Sequence, residues 1–194
     1  VAEGEDNGKR STPLLGFEGG EALRLSELPR SGKVIFRGEP DGAFRDAFRE
    51  VTGAALPLKP NSTEQNEARL VIWMGPNEWM VRCPPEQVEP LVKEAEGKMA
   101  GMHAAAVDVS DYYTVVGIGG EHALAALSHG CPLDLHPAAF PVGACAQTRF
   151  DSAPVLIRKT GDDPEFEIQV RWSFAGHVWN LLADLSREYE GEGS

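Results

Sequence analysis

Two short stretches hold the residue types that could do chemistry. Gly117-x-Gly119-Gly120 stands between an apolar run at 112–118 and a helical pattern, the setting in which backbone N–H groups can cradle a dinucleotide phosphate. The third glycine of such a fingerprint falls at His122, and Glu121 puts negative charge where a pyrophosphate would lie. A plain strand-to-helix turn is the better reading. His122, His129, Cys131 and His136 offer imidazole and thiol ligands of the kind zinc takes. Their spacing matches no common zinc pattern, and surface histidines beside one buried thiol explain them as well. Asp108 with Asp111, and Asp162 with Asp163, are the carboxylate pairs that acid/base work would need. The second pair precedes Pro164 in a turn, where Asp serves backbone hydrogen bonding, and Asp108 ends a strand pattern. His103 and His177 have no carboxylate or nucleophile at a recognisable spacing, and GxSxG, HExxH and P-loop motifs are all missing. No catalytic, cofactor-binding or metal-ligating residue is assigned. The tryptophans Trp73, Trp79, Trp172 and Trp179 suit either core or contact surface, and Trp79 and Trp179, with Phe17 and Leu58, are the candidates for an interface.

The elements that would position these residues follow from periodicity. Residues 33–37 form a strand, and a helix follows with Phe44, Ala47, Phe48 and Val51 on one face, stopped by Gly53. Residues 54–68, broken by Pro57 and Pro60, read as a long surface loop. The runs 70–74 and 79–82 flank Gly75-Pro76-Asn77-Glu78, a hairpin signal, and Pro84-Pro85 open a helix with Val88, Leu91, Val92, Ala95 and Met99 inward. A strand at 104–109 completes β-α-β-β-α-β, the order of a ferredoxin-like split βαβ unit. A second unit starts at 112, with a helix around Ala123, Leu124 and Leu127, strands at 146–150, 154–158 and 166–170, and a last helix capped by Ser173. The fold class is therefore α+β, two ferredoxin-like units with antiparallel or mixed sheets and helices packed on one face. The divisions are a polar tail at 1–13, units at 14–110 and 111–189, and an acidic tail at 190–194.

Composition bounds the partners. The 194-residue chain has a formal net charge of -12, so its average surface repels a nucleic-acid backbone. No apolar run reaches the roughly 18 residues of a membrane span, and residues 1–13 lack an apolar leader core. Cys83, Cys131 and Cys145 are odd in number and unpaired in spacing, as free thiols in a reducing cytoplasm would be.

Val107-Asp108-Val109-Ser110, Val116-Gly117, Ala123, Leu127, Cys131-Pro132-Leu133-Asp134-Leu135 and Phe140 resemble the folate-binding region of glycine cleavage T-protein aminomethyltransferases. Trp73-Met-Gly-Pro-Asn-Glu-Trp79, Cys145-Ala-Gln-Thr-Arg149 and Arg171-Trp-Ser-Phe-Ala-Gly-His-Val-Trp179 extend the likeness. With them the chain resembles, after its tail, the gamma-subunit family of heterotetrameric sarcosine oxidases. The T-protein pattern of Gly-Gly and paired aspartates is replaced here by Phe150-Asp151-Ser152-Ala153-Pro154-Val155, so no folate-site residue carries over. The resemblance implies a non-catalytic structural or assembly subunit beside alpha, beta and delta subunits. Their complex would demethylate sarcosine oxidatively to glycine, with formaldehyde or methylenetetrahydrofolate and hydrogen peroxide as products. It also implies that FAD, FMN, NAD, tetrahydrofolate and zinc belong to the other subunits and that this chain binds none. A stand-alone folate-binding or aminomethyltransferase-like protein is the alternative expectation.

Overall fold

The computed structural model describes residues 22–163 and 165–191, excluding the side chains of the last two. The polar tail expected at 1–13, Phe17, and residues 192–194 of the acidic end lie outside them. Two antiparallel five-stranded sheets account for the strands. One contains β2 (Gly32–Arg37), β3 (Thr63–Gln65), β4 (Leu70–Gly75), β5 (Glu78–Cys83) and β6 (Ala105–Asp108), with α1 (Gly42–Thr52) and α2 (Val88–Lys98) in the connections. The other contains β1 (Arg24–Glu27), β7 (Tyr113–Gly119), β8 (Cys145–Phe150), β9 (Ala153–Gly161) and β10 (Glu165–Arg171), with α3 (Ala123–Ser128) and α4 (Trp172–Gly191).

The first sheet runs β3-β4-β5-β2-β6, the split βαβ order with β3 added at one edge. Local chemistry fixes its connections. The Asp41 carboxylate accepts the Phe44 N–H at 2.9 Å to cap α1, and Gly53, at φ 65, ends the helix by donating its N–H to the Arg49 carbonyl. Pro76 and Asn77 turn β4 into β5, placing Gly75 opposite Glu78. Val34, Phe36, Val71, Trp79 and Val81 alternate along the strands toward α1 and α2, where Phe44, Phe48, Val51, Leu91 and Ala95 meet them.

The second sheet runs β1-β7-β10-β9-β8. Strand β1 pairs with β7 and occupies the place that a strand following α4 would take in a split βαβ unit, so the N-terminal end of the described chain closes the second unit. Arg24–Glu27 thus belongs to the later sheet, although the division at residue 110 counts it with the first. Val116, Ile118, Phe150, Val155, Ile157, Ile168 and Val170 face Val178, Leu182 and Leu185 of α4.

Three local expectations change. The stretch 54–68 contains β3, and it reaches the other unit, since Ser62 bridges Ala144 and the Cys145 N–H donates to the Asn61 carbonyl. The last helix begins at Trp172, which places Ser173 inside its first turn. That helix continues through Glu190 and Gly191, which the sequence assigns to a frayed tail.

The helix-free faces of the sheets meet each other. Leu70, Ile72 and Met80 of the first sheet pack with Cys145 and Leu156 of the second as a small apolar cluster, bordered by Ile35, Met74, Val109 and Tyr113. The result is four layers, helices outside and two sheets inside.

Candidate functional site

Folding gathers polar side chains at two places. The first is the hairpin turn between β8 and β9. Asp151 sits there in the left-handed region at φ 52, a conformation that Asp tolerates better than most residues. Its N–H donates to the Gly130 carbonyl at 2.8 Å. That approach needs glycine at 130, because a Cβ there would stand 2.9 Å from the Phe150 ring and 3.0 Å from the Asp151 nitrogen. From α4, His177 brings Nε2 to 2.9 Å from Asp151 Oδ2 and 3.4 Å from Ser152 Oγ.

Asp, His and Ser in contact invite comparison with a nucleophilic triad. In such a triad the carboxylate and the hydroxyl engage opposite ring nitrogens, so that the imidazole can pass a proton between them. Here both lie on Nε2. The Ser152 backbone N–H, then His177 and the Ser152 hydroxyl, hold the Asp151 carboxyl below the usual carboxylate range, leaving it an acceptor for the histidine. The cluster is an exposed clip between hairpin and helix. Sequence reading missed the pairing of His177 with Asp151 because 26 residues separate them.

Beside the clip, an open cleft of about 480 Å³ is lined by Ser128, His129, Gly130, Cys131, Pro132, Arg149, Asp151 and Ser152. Of His122, His129, Cys131 and His136, only His129 and Cys131 line it. His122 stacks on Tyr189 with ring centroids 4.5 Å apart, His129 Nδ1 bonds the Ala125 carbonyl, and His136 Nδ1 accepts the Ala138 N–H. Cys131 is buried in the core. Among the described residues, no group of three or more His, Cys, Asp or Glu side chains is arranged to hold a metal ion. The turn presents one carboxylate, already engaged by His177, and Pro154 has no N–H to donate.

The glycines of β7 have another use. A Cβ on Gly117 would meet Ser26 Oγ at 2.9 Å, and one on Gly119 would meet the Arg24 guanidinium at the same distance. They make room for side chains of β1 on the sheet face, where Arg24 pairs with Glu165.

The segment Asp108 to Ser110 ties the end of β6 to β2. Asp108 Oδ1 accepts the Ser110 N–H at 2.8 Å, Ser110 Oγ accepts the Lys33 N–H at 3.0 Å, and the Val109 N–H donates to the Lys33 carbonyl. Asp111 forms an ion pair with Arg30. The two carboxylates therefore have separate structural partners.

The second polar gathering lies between the sheets. Glu167 Oε2 of β10 accepts from Arg82 Nη1 of β5 at 2.6 Å and from Arg158 Nε of β9 at 3.2 Å. Burial by itself would raise the Glu167 carboxyl, but the charges and hydrogen bonds of the two arginines outweigh it and hold the carboxyl below its usual range. Gln169, beside them, donates to Met80 Sδ. Lys33 is 2% exposed, with Nζ on the Ser31 carbonyl, and burial followed by the neighbouring charges of Arg82 and Arg30 lowers its pKa to about 8. Burial pushes the Cys145 thiol up to about 11, which keeps it protonated near neutral pH. Sequence reading missed this layer because alternate polar residues on β10 look like a solvent face. Opposite charge on two such faces, Arg82 against Glu167, is the signal that could have found it.

The interface candidates separate. Trp79 is 0% exposed with its indole N–H donating to the Pro57 carbonyl at 2.8 Å, and Trp179 is 6% exposed within the α4 core. Both are core residues because their strand and helix faces point inward, which corrects their candidacy as surface anchors. Leu58, at 50%, is exposed.

Comparison with known proteins agrees with this architecture. The sequence model of the sarcosine oxidase, gamma subunit family matches residues 37–188. The chain is 30% identical over 171 residues to sarcosine oxidase subunit gamma of Corynebacterium sp. (strain P-1), covering 88% of this chain and 83% of that protein. It is 28% identical over 169 residues to the Arthrobacter sp. subunit gamma, covering 87% and 82%. Among solved structures, a chain of heterotetrameric sarcosine oxidase from Corynebacterium sp. U-96, in complex with pyrrole 2-carboxylate, superposes with a TM-score of 0.81 at 26% identity, covering 89% of this chain and 88% of that one. Glycine cleavage system aminomethyltransferase T from Bartonella henselae shares the fold at TM-score 0.60 and 13% identity, over 83% of this chain and 45% of the enzyme. The chain belongs to the sarcosine oxidase gamma subunit family.

Proposed function

We propose that this chain is an architectural, non-catalytic subunit of a cytoplasmic heterotetramer that oxidises sarcosine to glycine. Alpha, beta and delta subunits bind FAD, FMN, NAD, tetrahydrofolate and zinc and carry out the demethylation to formaldehyde or methylenetetrahydrofolate with release of hydrogen peroxide. The observation that supports this reading most is the likeness, over most of both chains, to a chain of a heterotetrameric sarcosine oxidase. The two polar gatherings are consistent with it, since Arg82, Arg158 and Glu167 satisfy one another and Asp151 is held by His177 and Ser152. Among the described residues no helix is long and apolar enough to cross a membrane.

Native mass spectrometry of the tagged chain from its own cells, with flavin absorbance read on the same fractions, tests the proposal. Co-isolation at fixed stoichiometry with larger, yellow, sarcosine-oxidising chains is expected. A lone colourless species that binds tetrahydrofolate by calorimetry would replace this reading with the folate-binding one.

A further inference from the structure

We infer that Lys33 and Ser31 bind a small monovalent anion of the halide class in the layer between the two sheets. Val34 and Phe36 of β2 face the helices, so Lys33 and Ile35 face the second sheet. Lys33 is 2% exposed there. An ammonium has three N–H donors, and Nζ uses one of them on the Ser31 carbonyl at 3.0 Å. Among the described residues Lys33 forms no ion pair. The carboxylates whose charge reaches it are engaged by other groups, Asp108 by Ser110 and Asp111 by Arg30. A buried charge is costly unless it is paired and hydrogen-bonded.

The surroundings select the sign of the partner. Arg82 stands opposite Lys33 in the β2–β5 register, Arg30 lies on the connection from β1 to β2, and both add positive charge at Nζ. Arg82 and Arg158 share the one carboxylate of Glu167, so the layer stays positive after its internal pairing. The Ser31 Oγ atom is buried and has no hydrogen-bond partner, on the residue whose carbonyl already holds Nζ. A hydroxyl rotates to suit its partner, so it can donate to an ion that the ammonium also touches. Ammonium and hydroxyl donors from two residues one position apart, in surplus positive charge, suit a single-atom anion, of which chloride is the common one in solution. Burial, then the charges of Arg82 and Arg30, lower the Lys33 pKa to about 8, and a bound anion favours the ammonium. Burial raises the Cys83 and Tyr113 acids, and Glu167 stays ionised because its two arginines outweigh burial. Lys33 is thus the neighbour whose charge changes between pH 7 and pH 9, and the anion stabilises the fold while that charge is present.

Two measurements test it. One is thermal unfolding of the full chain in sodium chloride against sodium gluconate of equal ionic strength, an anion too large to be enclosed between the sheets. The other is anomalous diffraction from bromide-soaked crystals of the protein, alone or in its complex. The expected results are a Tm that rises and saturates with chloride at pH 7, a much smaller rise at pH 9, no such rise in Lys33→Met, and a bromide peak within hydrogen-bonding distance of Lys33 Nζ. Ser31→Ala should need about fivefold more chloride for half of the rise, the worth of one neutral hydrogen bond. No bromide peak at Lys33 overturns the inference, and so does a saturating rise that Lys33→Met retains. A peak in the crystals without a rise in solution marks an adventitious ion only and overturns it as well. Should Lys33→Met not fold, Ser31→Ala decides, and an unchanged chloride requirement in that variant overturns the site.

Discussion

Arg82 and Glu167, from different sheets and 85 positions apart, meet at 2.6 Å with side chains 13% and 14% exposed. Arg158 closes on the same carboxylate oxygen, so one buried negative charge is shared by two guanidinium groups. This relationship joins the two units in a way that apolar contact alone would leave unspecific in register.

Removing the shared carboxylate should therefore cost more than losing one hydrogen bond. Glu167→Ala leaves two buried arginines facing each other and is expected to destabilise the chain by about 3 kcal/mol, the usual cost of breaking a buried ion pair from one side. Replacing all three residues with apolar ones of similar volume should recover most of that loss. Urea unfolding of the two variants provides the comparison, and equal stability of Glu167→Ala and wild type would remove the ion trio from the account.

Lys33 should make the protein more stable as pH rises. Its folded pKa, about 8, lies below the ordinary 10.5, so between those values the folded chain has released a proton that the unfolded chain still binds. Stability from this group rises across that window and levels off above it. Below pH 8 the buried charge costs on the order of 3 kcal/mol, taking 1.36 kcal/mol per pKa unit. Lys33→Met should accordingly stabilise the protein at pH 7, with a smaller advantage at pH 10. Thermal unfolding at both values checks the sign, and an advantage that grows with pH would contradict it.

Gly130→Ala should destabilise the clip. Its Cβ would press on the Phe150 ring at 2.9 Å and on the Asp151 nitrogen at 3.0 Å, and the backbone atom cannot swing aside as a flexible side chain would. A loss of about 1–3 kcal/mol is expected, as for overpacking elsewhere. Slower amide exchange at 151–152 in the variant than in wild type would be the opposite of this expectation.

Much of the fold was legible because particular residues leave local signatures. Phe44, Phe48 and Val51 spell the buried face of α1 and Gly53 its end, and Pro76-Asn77 spell the β4–β5 hairpin. What was illegible required long-range pairing. The short polar strand β3 has no alternation to reveal it, β1 finds its partner β7 some ninety positions later, and Trp79 looks the same in sequence whether it faces a helix or a partner. The clip shows the same limit: His177 and Asp151 are unremarkable until the last helix crosses the β8–β9 turn.

Trp79 gives a direct check on that last point. It is enclosed by α1, with the Phe44 ring centroid 5.6 Å away, and bonded to Pro57. Trp79→Ala is expected to cost about 3–5 kcal/mol by denaturant unfolding, as for other buried large aromatics. A loss below 1 kcal/mol with weakened subunit association would return Trp79 to the surface.

The most direct test of the central claim is turnover of sarcosine by the assembled complex carrying Asp151→Ala and His177→Ala together in this chain. These are the side chains of the described residues that come nearest to a catalytic arrangement, and the account assigns them to holding a hairpin against a helix. A kcat within about twofold of wild type, in a complex of unchanged stoichiometry, is the predicted result. A loss of a hundredfold or more with stoichiometry and flavin content intact would place chemistry on this chain and contradict the account.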